Sequence, residues 1–152
     1  MGGKPPAIEV QYAVAGNTLP PPDAIRHWVS HALQGGGDDV ELVVRIVDEA
    51  EMTALNQRYR GKLGVTNVLS FPCEPLPGVA SGLLGDVVVC APVVAEEAFR
   101  QGKSPEAHWA HLVMHGVLHL QGYDHHHDRD ARRMEALETR LLAGLGFPDP
   151  YN

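Results

Sequence analysis

The stretch His115-Gly116-Val117-Leu118-His119-Leu120-Gln121-Gly122-Tyr123-Asp124-His125 decides how the rest of this chain is read. Seven of the nine histidines fall between His108 and His127, so the residue type is concentrated where it could act together. The spacing of His115 and His119 places two imidazoles one turn apart on one helical face, where both can reach a single ion. Gly122 tolerates the left-handed backbone that ends a helix, so the chain can turn back and bring His125 to the same ion. Three neutral imidazoles with a fourth position open form the ligand set of a catalytic zinc rather than of a closed structural one. His111 continues the stripe, but eight residues separate it from His119, about 12 Å along a helix axis. Two ligands about 2.1 Å from one zinc do not span that distance, so His111 is expected to pack or to support a ligand. Any single histidine here reads as a surface or satisfied core residue; spacing, ligand type and the glycine break together favour a metal.

The same spacing, glycine included, occurs in the extended zinc signature of metzincin proteases. Those enzymes carry Glu directly after the first His as general base. Gly116 stands there in this chain and cannot take a proton. Metal geometry is shared with them, and proton chemistry has to come from elsewhere.

A length of 152 residues suits one domain with a real core, and 44% hydrophobic against 20% charged residues reads as soluble and globular. No apolar run approaches the roughly 20 residues of a membrane span. Met1-Gly2-Gly3-Lys4-Pro5-Pro6 lacks a signal-peptide core, and Pro6 stands where a myristoylation signal needs Ser or Thr. A cytoplasmic protein is expected, with no membrane partner. Cys73 and Cys90 show no zinc-type spacing and read as free thiols of a reducing compartment. The net charge of −7 argues against a broad nucleic-acid grip, and DNA is not expected as a partner. It leaves room for a small basic site, and Arg58, Arg60 and Lys62 form the one dense basic cluster in the first two-thirds of the chain.

Outward from the histidines, the chain divides into a flexible leader, residues 1–6, and a single metal-dependent hydrolase domain, residues 7–152. Ala7 to Val14 alternates weakly and predicts an edge strand. Ile25, Trp28, Val29, Ala32 and Leu33 repeat at helical spacing after Asp23. Glu41 to Asp48, with its apolar run Leu42 to Val47, predicts a well-buried strand, and Asp48 is also a candidate helix N-cap with Glu49 and Glu51 in the first turn. That helix ends near Gly61. Thr66 to Cys73 and Leu83 to Cys90 predict two more strands, the second interrupted near its start by Gly85-Asp86. Pro92 opens a short helix through Ala95, Ala98 and Phe99. Ser104 with Pro105 caps the helix that carries His108 to Gln121. Met134, Leu137, Leu141, Leu142 and Leu145 give the last helix its apolar stripe, from about Asp128 to Leu145. The expected fold is α+β: a single domain with a mixed sheet of about four strands packed with helices, the histidine-bearing helix central.

Leu55-Asn56-Gln57-Arg58-Tyr59-Arg60-Gly61-Lys62, then Thr66-Asn67-Val68-Leu69-Ser70-Phe71-Pro72, then Leu84-Gly85-Asp86-Val87-Val88-Val89-Cys90 precede the histidine motif. In this order the blocks resemble the YbeY family of bacterial rRNA-maturation endoribonucleases over most of residues 40–145. The resemblance implies one zinc ion on His115, His119 and His125, and cleavage of single-stranded RNA. It also implies work on the 16S rRNA 3′ end of the small ribosomal subunit, and in ribosome quality control. It carries the family's functional arginine to Arg60, which by itself reads equally well as a basic helix end. Arg58, Lys62, Asn67 and Ser70 are candidate substrate contacts; Asp124 and His111 are candidate supports for the ligands. Members often carry Lys-Asp-x-Pro-Thr-Asn where this chain has Lys62-Leu63-Gly64-Val65-Thr66-Asn67, which predicts a more mobile loop. Two other functions compete: a zinc-dependent peptidase, and a non-catalytic zinc-stabilised module that binds the small ribosomal subunit. Three imidazoles also suit other divalent transition metals such as nickel or copper.

Overall fold

The structure is a computed structural model that describes residues 3–16, 18–34, 37–74, 77, 82–124 and 126–151. Its elements run β1 (Ala7–Tyr12), α1 (Pro22–Ala32), β2 (Glu41–Val47), α2 (Glu49–Arg60), β3 (Val68–Pro72), β4 (Leu83–Cys90), α3 (Ala91–Gln101), α4 (Pro105–Leu120) and α5 (Asp128–Gly144). This is a single-domain α+β fold on one four-stranded sheet, ordered β1-β2-β4-β3. β1, β2 and β4 run parallel, and β3 pairs with β4 antiparallel, so the sheet is mixed and β3 is an edge. Before β1, Lys4 exchanges backbone and side-chain hydrogen bonds with Asp39.

Alternation along the strands sorts their side chains between two layers. Leu42, Val44, Ile46, Val87 and Val89 face α1 and α4 in the main core, against Trp28, Val29, Leu112, Val113 and Val117. Val47, Leu69, Val88 and Cys90 face the opposite way and meet Met52 of α2. A smaller cluster of Leu118, Met134 and Leu137 fastens α5 to α4. The central position of α4 follows from its composition: ten of its residues are buried, and His111, His115 and His119 lie along the line the core leaves.

The caps follow local chemistry. Asp48 accepts from the Glu51 amide at the start of α2, and Ser104 from the Ala107 amide at the start of α4. At the other end of α4, Gly122 has φ 97°. Its amide bonds the His119 carbonyl and the Tyr123 amide bonds that of Leu118, closing the helix with paired return bonds. Helix α3 departs from the apolar face read in the sequence. Ala91, Val94 and Ala98 are buried, whereas Ala95 is exposed and Phe99 is 88% exposed. Ala91, Val94 and Ala98 form the packed face, and Phe99, about 100° further round the helix from Ala98, is left to solvent.

Candidate metal centre

A cleft of about 480 Å³ opens between the end of α2, edge strand β3 and α4. Arg60, Thr66, Asn67, Val68, Leu69, Ser70, His115, His119 and His126 line it. Three elements distant in sequence thus contribute a guanidinium, amide and hydroxyl groups, and two imidazoles. The rings of His115 and His119 stand 4.7 Å apart between centroids and at 72° to each other. Two imidazoles converging on one ion need that closeness. His125 lies outside the described residues; His126 beside it lines the cleft.

Gly116 has a packing reason. A Cβ there would stand 2.6 Å from Val87 Cγ1 and 3.3 Å from Ser70 Oγ. The position after the first histidine therefore faces β4, and the sheet leaves no room for an acidic side chain. Ser70 Oγ donates to the Gly116 carbonyl at 2.9 Å, tying β3 to α4 beside His115. Asn67 Nδ2 donates to Glu97 at 3.1 Å, and the same carboxylate stands 2.9 Å from His108 Nε2. Both candidate contacts line the cleft with side chains already engaged by the protein. Arg60 is exposed at the last turn of α2. Arg58 lies over the Tyr59 ring at 5.5 Å, and Tyr59 meets Phe71 edge-on at 5.2 Å. Arg58 and Lys62 do not line the cleft. The Lys62 amide and the Gly64 carbonyl both bond Asn56, which anchors the loop expected to be mobile. Asp124 accepts from the His126 amide at 2.7 Å and closes the turn after α4.

Behind the cleft stands a group the sequence reading passed over. Glu138 of α5 is 1% exposed and accepts from His115 Nδ1 on one oxygen and from the Tyr151 hydroxyl on the other. His111 Nε2 lies 3.6 Å from Glu138 and 3.3 Å from the Tyr151 hydroxyl. Burial alone would raise the carboxyl pKa of Glu138; hydrogen bonds from His111, His115 and Tyr151 outweigh it and bring it down to about 2. Burial and the neighbouring carboxylate push the Tyr151 phenol up, so it stays a donor. Glu138 follows Leu137 and stands four residues after Met134. A charge inside an apolar stripe was the signal available in the sequence.

His111, His115 and Glu138 could together hold a metal ion, their ligand atoms lying within 4.8 Å of one another. His115 thus has two sides, Nδ1 toward Glu138 and the rest of its ring toward the cleft with His119.

The family model described as Endoribonuclease YbeY matches residues 16–146. The chain belongs to the YbeY family. Among its relatives, the Endoribonuclease YbeY of Alkalilimnicola ehrlichii is 57% identical over 149 residues, covering 95% of this chain and 90% of that one. That of Halorhodospira halophila is 55% identical over 141 residues, covering 91% and 92%. A Thermotoga maritima protein with a solution structure superposes with a TM-score of 0.60 at 27% identity, over 89% of this chain and 86% of that one. YbeY membership agrees with the fold and with a histidine-rich centre. Among the described residues no helix is long and apolar enough to cross a membrane.

Proposed function

We propose that this YbeY-family chain is a metal-dependent endoribonuclease that cuts single-stranded RNA and acts at the 3′ end of 16S rRNA in the small ribosomal subunit, including its quality control. The enzyme class rests on its relatives, both named Endoribonuclease YbeY. The observation that supports the site assignment is the cleft, whose lining brings Arg60 together with His115 and His119. An rRNA substrate places the work in the cytoplasm, in a hydrolase domain of residues 7–152.

The metal belongs on the cleft side of His115. An ionised Glu138 has no proton to give, so His115 Nδ1 carries the hydrogen of their bond. A neutral imidazole then has its lone pair on Nε2. Two ligands of one tetrahedral zinc also stand about 3.3 Å apart, farther than hydrogen-bonded His115 and Glu138. We therefore assign zinc to His115, His119 and His125, with His111 and Glu138 behind them. A divalent ion held there supplies Lewis-acid activation of water and of a phosphoryl oxygen.

The chain's own groups supply the rest. Arg60 offers two parallel N–H donors to a phosphate as negative charge gathers on it. Asn67 and Ser70, held by Glu97 and Gly116, fix the wall along which the strand lies. Arg58 and Lys62, two residues either side of Arg60 in sequence, add positive charge to this end of α2. A flexible strand can bend its scissile phosphate into this cleft, whereas a stacked duplex resists. The peptidase alternative loses its general base, because residue 116 faces Val87. The test offers labelled single-stranded RNA, duplex RNA and a casein-type protein to native and His119→Ala protein. Cleavage of the single strand alone, lost in the variant, is expected; undiminished RNA cleavage by the variant contradicts the assignment.

A further inference from the structure

The segment after α5 reaches back to the metal centre. The Phe147 amide bonds the Leu142 carbonyl at 2.9 Å, Lys103 Nζ holds the Pro150 carbonyl at 2.7 Å, and Asp149 accepts from the Tyr151 amide at 2.9 Å. These bonds deliver the Tyr151 hydroxyl to Glu138 and set its ring edge-on to His111 at 5.4 Å. An apolar residue would continue the stripe of α5 with no charge to desolvate, so packing alone does not call for a carboxylate here. The two carboxylate oxygens of Glu138 are held by different elements, one by His115 of α4 and the other by Tyr151 of this segment.

We propose that Glu138 and Tyr151 are positioning residues for the metal: the segment Phe147–Tyr151 acts as a latch that fixes the Glu138 carboxylate, which fixes the ring orientation and tautomer of His115 and so the affinity for a divalent transition ion. This rests on the reading that the ion binds the Nε2 side of His115. Tyr151 fills the second oxygen of Glu138, so the carboxylate cannot rotate away from His115. Its loss leaves His115 in place but poorly oriented.

The experiment measures zinc affinity by competition with a chromogenic chelator for native protein, Glu138→Gln, Tyr151→Phe and His119→Ala, and the melting midpoint of each in metal-free form. Glu138→Gln is expected to bind zinc about 10-fold to 100-fold more weakly, the range for partners of metal-bound histidines. Tyr151→Phe, which removes one oxygen atom from a half-exposed side chain, is expected to weaken zinc by about 10-fold with the metal-free midpoint unchanged. Zinc affinity within about twofold of native in Tyr151→Phe overturns the latch, as does a loss seen only alongside a fallen metal-free midpoint. His119→Ala separates the two readings. If it loses zinc while Glu138→Gln and Tyr151→Phe keep it, the latch alone fails. If it keeps zinc while Glu138→Gln loses it, the ion sits on Glu138 itself and the underlying site assignment fails.

Discussion

In the proposed mechanism Arg60 is the residue that meets the phosphate, and its surroundings make it separable from the fold. It is exposed, and Gly61 ends α2 directly after it in the left-handed conformation, so its side chain is not needed for the helix. Arg60→Ala should reduce RNA cleavage by about 10²-fold to 10³-fold, the cost of removing one donor to transition-state charge. Zinc content and melting midpoint should stay native, and Arg60→Lys should recover part of the rate, lacking the two-pronged fork. A midpoint loss as large as that of a core substitution would assign Arg60 to structure. His108 carries a different prediction. Burial lowers its pKa below the usual 6.5, against the raising effect of Glu97. The unfolded chain then binds this proton more readily, so the contribution of His108 to stability is full above about pH 6.5 and is lost as pH falls below it. In metal-free protein, denaturant midpoints between pH 7.5 and 5.5 should fall for the native chain and fall less for His108→Gln. Parallel curves would remove His108 as the cause.

At the scale of elements, α4 stays central because its Gly116 lets the helix approach β4. Gly116→Ala tests this against helix propensity, since Ala in a helix gains about 1 kcal/mol over Gly. The added Cβ meets Val87, itself fully buried, at 2.6 Å, an overpacking that costs about 1–3 kcal/mol. The clash should win, and the urea midpoint should fall; a rise would mean that the helix and sheet separate easily. The sequence reading found this helix, its Ser104 cap and its Gly122 stop because each depends on neighbours within a turn. It found Asp48 and β4 for the same reason. It noticed that Gly116 could not be a base, yet the reason lies in Val87, a residue it had no means of placing opposite. Glu138 was passed over because a charge on a helix is normally solvated, and only the fold puts Tyr151 and His115 beside it. Phe99 was misplaced because an aromatic at helical spacing looks like core until the small face of Ala91, Val94 and Ala98 is seen to pack instead.

Across the whole molecule, the mixed sheet sets its antiparallel edge strand, the end of α2 and the histidine line of α4 around one cleft. The blocks of sequence that build it were legible in order, as was the α+β architecture. Their convergence was not, because residues 60, 67 and 115 meet only through the antiparallel pairing of β3 with β4 and the docking of α4. An acidic body with Arg60 in the cleft and Arg58 and Lys62 close to it in sequence should hold RNA weakly, with a salt dependence set by the few phosphates they neutralise. The central claim is that RNA cleavage depends on a metal held by the histidines of this cleft. The direct measurement is cleavage of a labelled single-stranded RNA by chelator-stripped native and His119→Ala protein, before and after zinc is restored. Native protein should lose cleavage on stripping and regain it with zinc, while the variant stays inactive throughout. Cleavage by stripped native protein at its original rate, or full recovery of the variant with zinc, would contradict the account.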